Sequence, residues 1–284
     1  MMNKKALLII IILAALLAAL LLAVKISTIP GRNKVSQAAV PAVERTPPAS
    51  GEENELFKLA AKYEASGDLL PMRETYKSLA EKFPGSGNIQ KAREGLEGAN
   101  IKILFSHIST PDSTIYEVQK GDTLSKIARK FSTTQELIMK ANNLKNPRLL
   151  PLGKKLKIHN ARISIVVDKS QNILTLKSGD DILKTYRVST GINNCTPVGT
   201  FKVINRIPDP PWYTAEGVIP PDSPKNILGS RWLGLSEKGY GIHGTTEPQS
   251  IGKQVTSGCV RMKNTDVEEL YTIVPEGTEV VIVD

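Results

Sequence analysis

Residues 239–262 read GYGIHGTTEPQSIGKQVTSGCVRM, and this stretch decides the fold of the segment around it. Its first part alternates small and apolar residues, as in a short strand that ends at His243. Its last part places Cys259 directly after Ser257 and Gly258, a pair typical of a turn. One of the chain's three His and one of its two Cys therefore belong to a single strand–turn unit.

These residues supply the parts of a nucleophilic site. The thiol of Cys259 needs a base, or a cation that lowers its pKa. His243 carries the one type of side chain with an ordinary pKa near neutrality. Backbone N–H groups in the turn at Gly258 can stabilise an oxyanion. A lone Cys is also commonly a small buried apolar residue, so the spacing alone leaves both interpretations open.

The remaining His and Cys content argues against metal and disulfide chemistry. The other three residues of these types are His107, His159 and Cys195, and the chain has no Cys-x-x-Cys and no His-Glu-x-x-His. The sequence therefore predicts no metal site, no cofactor and at most one disulfide, between Cys195 and Cys259. In an oxidising compartment that bridge would block the Cys259 thiol.

The segment around the opening stretch, residues 162–284, is predicted to be mainly β. Apolar residues alternate through 162–206, and a strand pattern returns at 279–283. A short helix is predicted over 265–272. Residues 208–224 hold six Pro, which predicts a long irregular loop of the kind that often lines a site.

The motifs of this segment resemble the L,D-transpeptidase catalytic domain of the YkuD type. The resemblance covers about residues 162–284, and it implies an extracytoplasmic, β-rich domain that cross-links or modifies peptidoglycan. The residues that carry it are Thr190-Gly191, Thr196-Pro197-x-Gly199-x-Phe201, Asn226-x-Leu228-Gly229, Tyr240 to Thr245, Ser250-Ile251-Gly252 and Ser257 to Met262.

The resemblance also implies a reaction and the roles of the residues in it. Cys259 would attack the carbonyl of the L-centre of diaminopimelate in a tetrapeptide stem, release D-Ala and hold a thioester for an amine acceptor. His243 would act as general base and acid, and the backbone carbonyl of Gly244 would orient its ring. Backbone N–H groups of Gly258 and Cys259 would stabilise the oxyanion.

Four further residues are assigned to the substrate side of the site. Arg261 is either a ligand of a substrate carboxylate or a structural salt-bridge former, and the sequence leaves both roles open. Trp232 either lines the site or belongs to the core, and Asn226 is placed with the substrate-binding residues. Ser257 stands where many members of the family have a second His, which affects local hydrogen bonding and substrate preference.

Two other functions fit the same scaffold. An L,D-carboxypeptidase would use water in place of the amine acceptor, and a non-catalytic peptidoglycan-binding scaffold would form no thioester on Cys259. The amine itself is not fixed by these residues, because cross-linking, lipoprotein attachment and D-amino acid exchange would all use them.

A second module, residues 115–159, is predicted to run strand, helix, helix, strand. Residues Tyr116, Gly121 to Leu124, Phe131 and Asn142 to Leu144 give it the pattern of a LysM domain, which it resembles along its whole length. The resemblance implies binding to the glycan strands of peptidoglycan, in a groove between two loops. The glycan-binding residues carried over are Gly121, Asp122, Thr123, Leu124, Asn142 and Asn143.

The N-terminal third of the chain is predicted to hold an anchor, a linker and a helical segment. Nineteen apolar residues, 6–24, follow two lysines and could span a bilayer, so residues 1–24 are predicted to be a membrane anchor or else a cleaved signal peptide. The anchor would leave the C-terminus in the periplasm, within the cell envelope. Residues 25–51 form a Pro/Ala-rich linker, and 52–104 form a helical, tetratricopeptide-like segment that is either a spacer or a docking site for a protein partner.

The net charge of +9 is unevenly distributed. Residues 1–50 carry +5 and 115–160 carry +7, whereas 51–114 carry −2 and 161–284 carry −1. The largest segment is therefore nearly neutral, which argues against a nucleic-acid-binding protein.

Overall fold

The structure is a computed structural model that describes residues 51–284. The predicted membrane anchor at residues 1–24, and the linker up to residue 50, lie outside the described residues. Within residues 51–284, no helix combines the length and the apolar character that crossing a bilayer requires.

Three helices open the described part of the chain: α1 (Gly51–Ser66), α2 (Leu69–Lys82) and α3 (Ile89–Leu104). The break after α1 falls at Gly67, whose φ of 75° suits glycine. Apolar residues at helical spacing meet in a small core of their own, made of Ala60, Met72, Tyr76, Leu79, Ala92 and Ala99. The predicted helical segment is thus present as three packed helices.

The next module has the predicted strand–helix–helix–strand order. It consists of β1 (Ser113–Glu117), α4 (Leu124–Lys130), α5 (Gln135–Ala141) and β2 (Lys155–His159). The two strands pair antiparallel. Both helices begin at a threonine whose side-chain oxygen accepts a backbone N–H: Thr123 from Lys126 at 3.2 Å, and Thr134 from Leu137 at 2.9 Å.

The remaining residues build a mainly-β domain, as predicted. Its strands are β3 (Ile163–Asp168), β4 (Ile173–Ser178), β5 (Asp181–Arg187), β6 (Thr190–Gly191), β7 (Gly199–Pro208), β8 (Trp212–Thr214), β9 (Gly217–Ile219), β10 (Arg231–Leu235), β11 (Gly241–His243), β12 (Gln254–Thr256), β13 (Val260–Arg261) and β14 (Glu279–Val283). Eight of them form one sheet in the order β13-β11-β10-β7-β14-β3-β4-β5. One helix, α6 (Asn264–Ile273), packs against it.

The proline-rich stretch differs from its prediction. Residues 208–224 were expected to be irregular, yet β8 and β9 form an antiparallel hairpin within them. The six prolines lie outside residues 212–219, so none of them removes a hydrogen-bond donor from the hairpin. Gly217, with φ 137°, supplies the backbone freedom that the turn requires.

The helical segment packs onto the β domain through α3. Asn100 on α3 donates to the carbonyls of Ile182 and Leu183 on β5, at 3.2 and 3.3 Å. Ile101 and Leu104 belong to the same apolar cluster as the core of the large sheet. This helix therefore covers the edge strand of the sheet.

Candidate active site

His243 is the last residue of β11, where its ring is buried and held by carbonyl groups. Its Nδ1 lies 2.7 Å from the carbonyl oxygen of Gly244. Because a carbonyl only accepts, Nδ1 is the nitrogen that carries hydrogen, and Nε2 of the neutral ring is left with a lone pair. The backbone carbonyl of Leu228 also lies close enough to the ring to favour its protonated form, which raises its pKa.

Burial sets the protonation of this ring. It lowers the pKa of His243 to about 4, and the nearby charge of Arg261 acts in the same direction. The indole of Trp232 stacks on the ring, with centroids 5.8 Å apart and planes 17° from parallel. At neutral pH the site therefore holds an uncharged imidazole that is able to accept a proton.

Cys259 comes directly before β13, which runs parallel to β11. The register pairs Ile242 with Val260 and His243 with Arg261. Cys259 therefore lies beside Gly241, two residues before His243 along β11 and on the same face of that strand. The parallel pairing brings together the two residues that the sequence singled out.

The thiol of Cys259 is protonated in this environment. Its Sγ lies 3.7 Å from the carbonyl oxygen of Gly239. Burial raises the pKa of Cys259, although a hydrogen bond with the backbone of Gly241 and the charge of Arg261 oppose the shift. The pair in the resting protein is thus a neutral thiol and a neutral imidazole.

The turn before Cys259 depends on Gly258. This residue has φ 124°, and a Cβ placed on it would lie 2.5 Å from a ring carbon of Tyr240. Its N–H donates to the hydroxyl of Thr256 at 3.2 Å, and that hydroxyl donates to the carbonyl of Cys259 at 2.7 Å. The N–H of Gly258 was predicted to stabilise an oxyanion. It already donates to Thr256 within its own turn, through a long hydrogen bond of 3.2 Å.

Arg261 is buried and paired. Its Nη1 donates to a carboxylate oxygen of Glu247 at 3.0 Å and to the hydroxyl of Ser250 at 3.1 Å. Its Nε is buried without a hydrogen-bond partner in the part of the chain that the structure describes. Of the two roles predicted for Arg261, the structure contains the salt bridge, and the role as a ligand of a substrate carboxylate stays a prediction.

Asn226 holds a loop rather than pointing into open space. It is 2% exposed, and its amide nitrogen donates to the carbonyls of Pro210 at 2.8 Å and Pro220 at 3.2 Å. Its oxygen accepts the N–H of Leu228 at 3.0 Å. Asn226 thus fixes the segment that carries the Leu228 carbonyl to His243.

Two exposed residues flank the nucleophile. Ser257 is exposed at the tip of the turn. Cys195 is also exposed, with its Sγ 4.0 Å from the carbonyl oxygen of Thr256, three residues before Cys259. Both cysteines are free thiols. A negative charge on Cys195 would raise the pKa of Cys259, so the two thiols are close enough to influence each other.

Asn264 is a residue at the site that sequence reasoning missed. Its side-chain oxygen accepts the N–H of Thr245 at 2.9 Å and that of Ser230 at 3.3 Å. A Cβ added to Gly229 or to Gly244 would collide with this oxygen, so neither position has room for a side chain. The pair of glycines is the one sequence signal that indicates such a contact, and it does not say which side chain fills the space.

The glycan-binding residues predicted in the second module have structural contacts. Asp122 accepts the hydroxyl of Tyr116 at 2.7 Å and the N–H of Gln119 at 2.8 Å. Asn142 donates to the carbonyls of Ile138 and Lys157, both at 2.8 Å, and accepts the N–H of Lys157 at 2.7 Å. These hydrogen bonds hold the two loops that were predicted to flank the glycan groove, and glycan binding by Asp122 and Asn142 stays a prediction.

The other predicted groove residues also have local roles. Thr123 caps α4, and Leu124 is buried in the core of the module. Gly121 and Asn143 adopt positive φ values of 84° and 52°. No group of three or more His, Cys, Asp or Glu in residues 51–284 is arranged to hold a metal ion.

Comparison with known families identifies both folded modules. Residues 162–282 match the YkuD model, the L,D-transpeptidase catalytic domain, and residues 116–159 match the LysM domain. A solved L,D-transpeptidase from Mycobacterium smegmatis aligns with a TM-score of 0.39 and 21% identity, covering 46% of this chain and 64% of that chain.

Two Bacillus proteins named as L,D-transpeptidases are similar to more than half of this chain. YkuD of Bacillus subtilis is 38% identical over 177 residues, which cover 59% of this chain and 97% of that protein. YkuD of Bacillus licheniformis is 39% identical over 175 residues, which cover 59% of this chain and 98% of that protein. With that degree of identity along almost the whole of these relatives, the chain belongs to the L,D-transpeptidase family, with a LysM domain before its catalytic domain.

Proposed function

We propose that this chain is a peptidoglycan L,D-transpeptidase in which Cys259 is the nucleophile and His243 the general base and acid. The observation that carries the proposal is the 2.7 Å hydrogen bond from His243 Nδ1 to the Gly244 carbonyl. That bond fixes the tautomer with a free lone pair on Nε2. A neutral imidazole of lowered pKa, on the strand paired with the one that follows a protonated thiol, is suited to removing the thiol proton during attack.

The first half of the reaction transfers an acyl group to sulfur. Nε2 of His243 takes the proton of Cys259 as Sγ bonds to the stem-peptide carbonyl carbon, and an oxyanion forms. The backbone N–H of Cys259, together with that of Gly258 if it leaves Thr256, stabilises this charge. The C–N bond to D-Ala breaks, and His243 gives its proton to the departing amine, leaving a thioester.

The second half returns the enzyme to its starting state. An amine acceptor attacks the thioester carbonyl while Nε2 of His243 removes its proton. The C–S bond breaks, the proton passes to the Cys259 sulfur, and the new amide leaves. The carbonyl of Gly244 steadies the imidazolium at each charged stage, since Nδ1–H donates to it throughout.

The LysM domain supplies the second contact with the substrate polymer. We propose that its two loops bind a glycan strand while the catalytic domain takes a stem peptide. The +7 charge of residues 115–160 supports attraction to the anionic polymers of a cell wall. For the helical segment we propose a bracing role through α3, and a protein partner would have to use α1 or α2.

The location of the protein follows from its N-terminus and its substrate. We propose a cell-envelope protein held in the cytoplasmic membrane by residues 6–24, with its folded domains outside. Lys4 and Lys5 before the apolar stretch support this orientation. A cleaved signal peptide would give the same exported domains without the anchor.

The function is tested by incubating the protein with disaccharide-tetrapeptides and following both partners by mass spectrometry. We expect a thioester on Cys259, release of D-Ala and cross-linked dimers. Trimmed monomers without dimers would instead identify a carboxypeptidase. A Cys259→Ala variant that turns over as fast as the wild type would exclude the mechanism, and binding to sacculi without acylation would indicate a scaffold.

A further inference from the structure

Two backbone carbonyls from different parts of the chain lie against the ring of His243. That of Gly244, which leaves β11, accepts the Nδ1–H hydrogen bond, and that of Leu228, which leads into β10, is close enough to raise the pKa of the ring. A ring that must accept a proton from one partner and deliver it to another depends on both carbonyls staying in place. The question is therefore what holds these two segments together.

Asn264 lies between them. Its side-chain oxygen accepts the N–H of Thr245, next to Gly244, at 2.9 Å, and the N–H of Ser230, two residues after Leu228, at 3.3 Å. A single oxygen atom thus bridges the residues that follow the two carbonyl groups. The fit leaves no space, because a Cβ on Gly229 or Gly244 would collide with this same oxygen.

The helix that begins at Asn264 does not use this oxygen. The residue before it, Lys263, is at the N-cap position, and the N–H groups of Asp266 and Val267 bond to the backbone carbonyl of Lys263. The Asn264 amide oxygen is therefore directed away from its own helix. Stabilising α6 does not explain why this side chain is placed here.

The same short segment carries the nucleophile. Cys259 and Asn264 are five residues apart, and between them Met262 donates its N–H to the carbonyl of His243 at 2.8 Å. Movement of this segment would shift the thiol and the support of the base together. One rigid element thus fixes both halves of the thiol–imidazole pair.

We propose that Asn264 is a positioning residue for catalysis: by bridging Ser230 and Thr245 it holds the carbonyls of Leu228 and Gly244 in register around the His243 ring. The inference rests on the proposed function of His243 as the base. It assigns Asn264 no contact with substrate, and its effect is on the orientation and tautomer of the imidazole.

The test compares Asn264→Ala with Asn264→Asp in the full chain. The alanine variant loses the bridging oxygen, and we expect acylation of Cys259 by a tetrapeptide stem to slow about 100-fold with little change in KM. The aspartate variant keeps an oxygen at the same place and should recover most of the rate. The ¹⁵N NMR signals of His243 should show hydrogen fixed on Nδ1 in the wild type and in Asn264→Asp, but a mixture of tautomers in Asn264→Ala.

Asn205→Ala is the matched control. Its side-chain oxygen accepts the N–H of Gly234 at 3.2 Å within the same sheet and closely approaches that glycine, yet it holds neither carbonyl. This variant should keep both the acylation rate and the His243 signals of the wild type. Should Asn264→Ala fail to fold, Asn264→Ser, which is shorter and uncharged, replaces it in both measurements.

Two outcomes would overturn the inference. One is an Asn264→Ala protein that loses thermal stability but acylates normally; the other is a slow variant whose His243 tautomer is unchanged. If the wild type itself forms no acyl-enzyme, the proposed function fails, and the NMR comparison still decides whether Asn264 orients the ring.

Discussion

At the scale of single residues, the chemistry depends on two opposite pKa shifts with one cause. Burial disfavours the charged form of each group, so it lowers the pKa of His243 to about 4 and raises that of the Cys259 thiol. A thiolate–imidazolium ion pair is therefore disfavoured in the resting state, because burial opposes the charge on Cys259 and the charge on His243. The proton has to move during attack, which makes the acceptor lone pair on His243 the limiting requirement.

The pH dependence of acylation should reflect this arrangement. We expect the rate of thioester formation on Cys259 to rise through pH 4, as His243 loses its proton, and then to stay level to at least about pH 8. Intact-protein mass spectrometry at a series of pH values measures it. A rate that climbs about tenfold per pH unit across the neutral range would contradict the scheme, because it would mean that a pre-formed thiolate attacks without help from the base.

The turn at Gly258 gives a second prediction at this scale. In Gly258→Ala the new methyl group would meet the ring of Tyr240 at 2.5 Å, with φ at 124°, so the turn must move. We expect acylation to fall by about 100-fold or more, because the N–H groups before the thiol lose their direction. Gly277→Ala is the control: it has a positive φ of 87° but open space around it, and it should keep its rate. Equal rates in the two variants would show that the turn geometry is unimportant.

At the scale of elements, the long connection between β7 and β10 is held by one side chain. Asn226 makes three backbone hydrogen bonds and is 2% exposed, so Asn226→Ala leaves the carbonyl of the buried Pro210 without its donor and the N–H of Leu228 without its acceptor. We expect a loss of about 2–3 kcal/mol in the free energy of unfolding. Amide exchange should accelerate across residues 208–230, and acylation should slow because Leu228 is released.

A control shows whether the loss of stability comes from the burial of Asn226 or would follow from removing any asparagine in a local turn. Asn146 accepts the N–H of Arg148, two residues on, at 2.9 Å, just as Asn226 accepts that of Leu228, but it is exposed. Asn146→Ala should change stability by only a few tenths of a kcal/mol. Similar losses in the two variants would show that burial of Asn226 is not what matters.

The elements that sequence patterns predicted well are those with a local cause. The alternation of Ile163, Ile165 and Val167 predicts β3, and a helix expected over 265–272 is observed as Asn264–Ile273. The hairpin of β8 and β9 was missed because proline content was counted over the whole stretch, whereas the hairpin occupies its proline-free middle.

The residues of the candidate site also divide into those that the sequence alone can single out and those that it cannot. His243 and Cys259 could be singled out from the sequence because their side chains have chemistry that few other residues share. The bridge from Asn264 to Ser230 joins residues 34 apart, and the one from Asn226 to Pro210 spans 16. An asparagine that accepts or donates over such distances leaves no periodic signal, so its partners become visible only in the folded chain.

At the scale of the whole described molecule, the three modules are joined by polar contacts. Lys157 of the LysM domain is buried and donates to the carbonyls of Ile103, at 2.7 Å, and Ser106, at 2.8 Å, at the end of α3. Arg206 of the catalytic domain pairs with Glu136 of the LysM domain at 3.4 Å. These contacts link the LysM domain to α3 and to the catalytic domain, an arrangement that supports the proposed handling of a glycan strand and a stem peptide together.

We call the surface where the LysM domain meets α3 and the catalytic domain the seam. The seam should be sensitive to acid because it contains a buried histidine. His159 shares a hydrogen bond of 3.1 Å with Ser178 across the seam. Burial lowers its pKa to about 4; the charge of Lys157 acts in the same direction, and that of Asp112 opposes it. Between pH 6.5 and 4 the unfolded chain therefore binds a proton at this residue that the folded chain does not. The free energy of unfolding must fall as the pH falls through this range.

We therefore expect His159→Gln to weaken the acid sensitivity of the fold. Each of the two buried histidines, His159 and His243, contributes on the order of 3 kcal/mol to the loss between pH 6.5 and 4. Removing His159 should reduce the slope of unfolding free energy against pH by the contribution of one buried histidine, measured by denaturant titration with tryptophan fluorescence. His107→Gln, at an exposed position, should keep the slope of the wild type. If His159→Gln keeps it too, the acid sensitivity does not come from the seam.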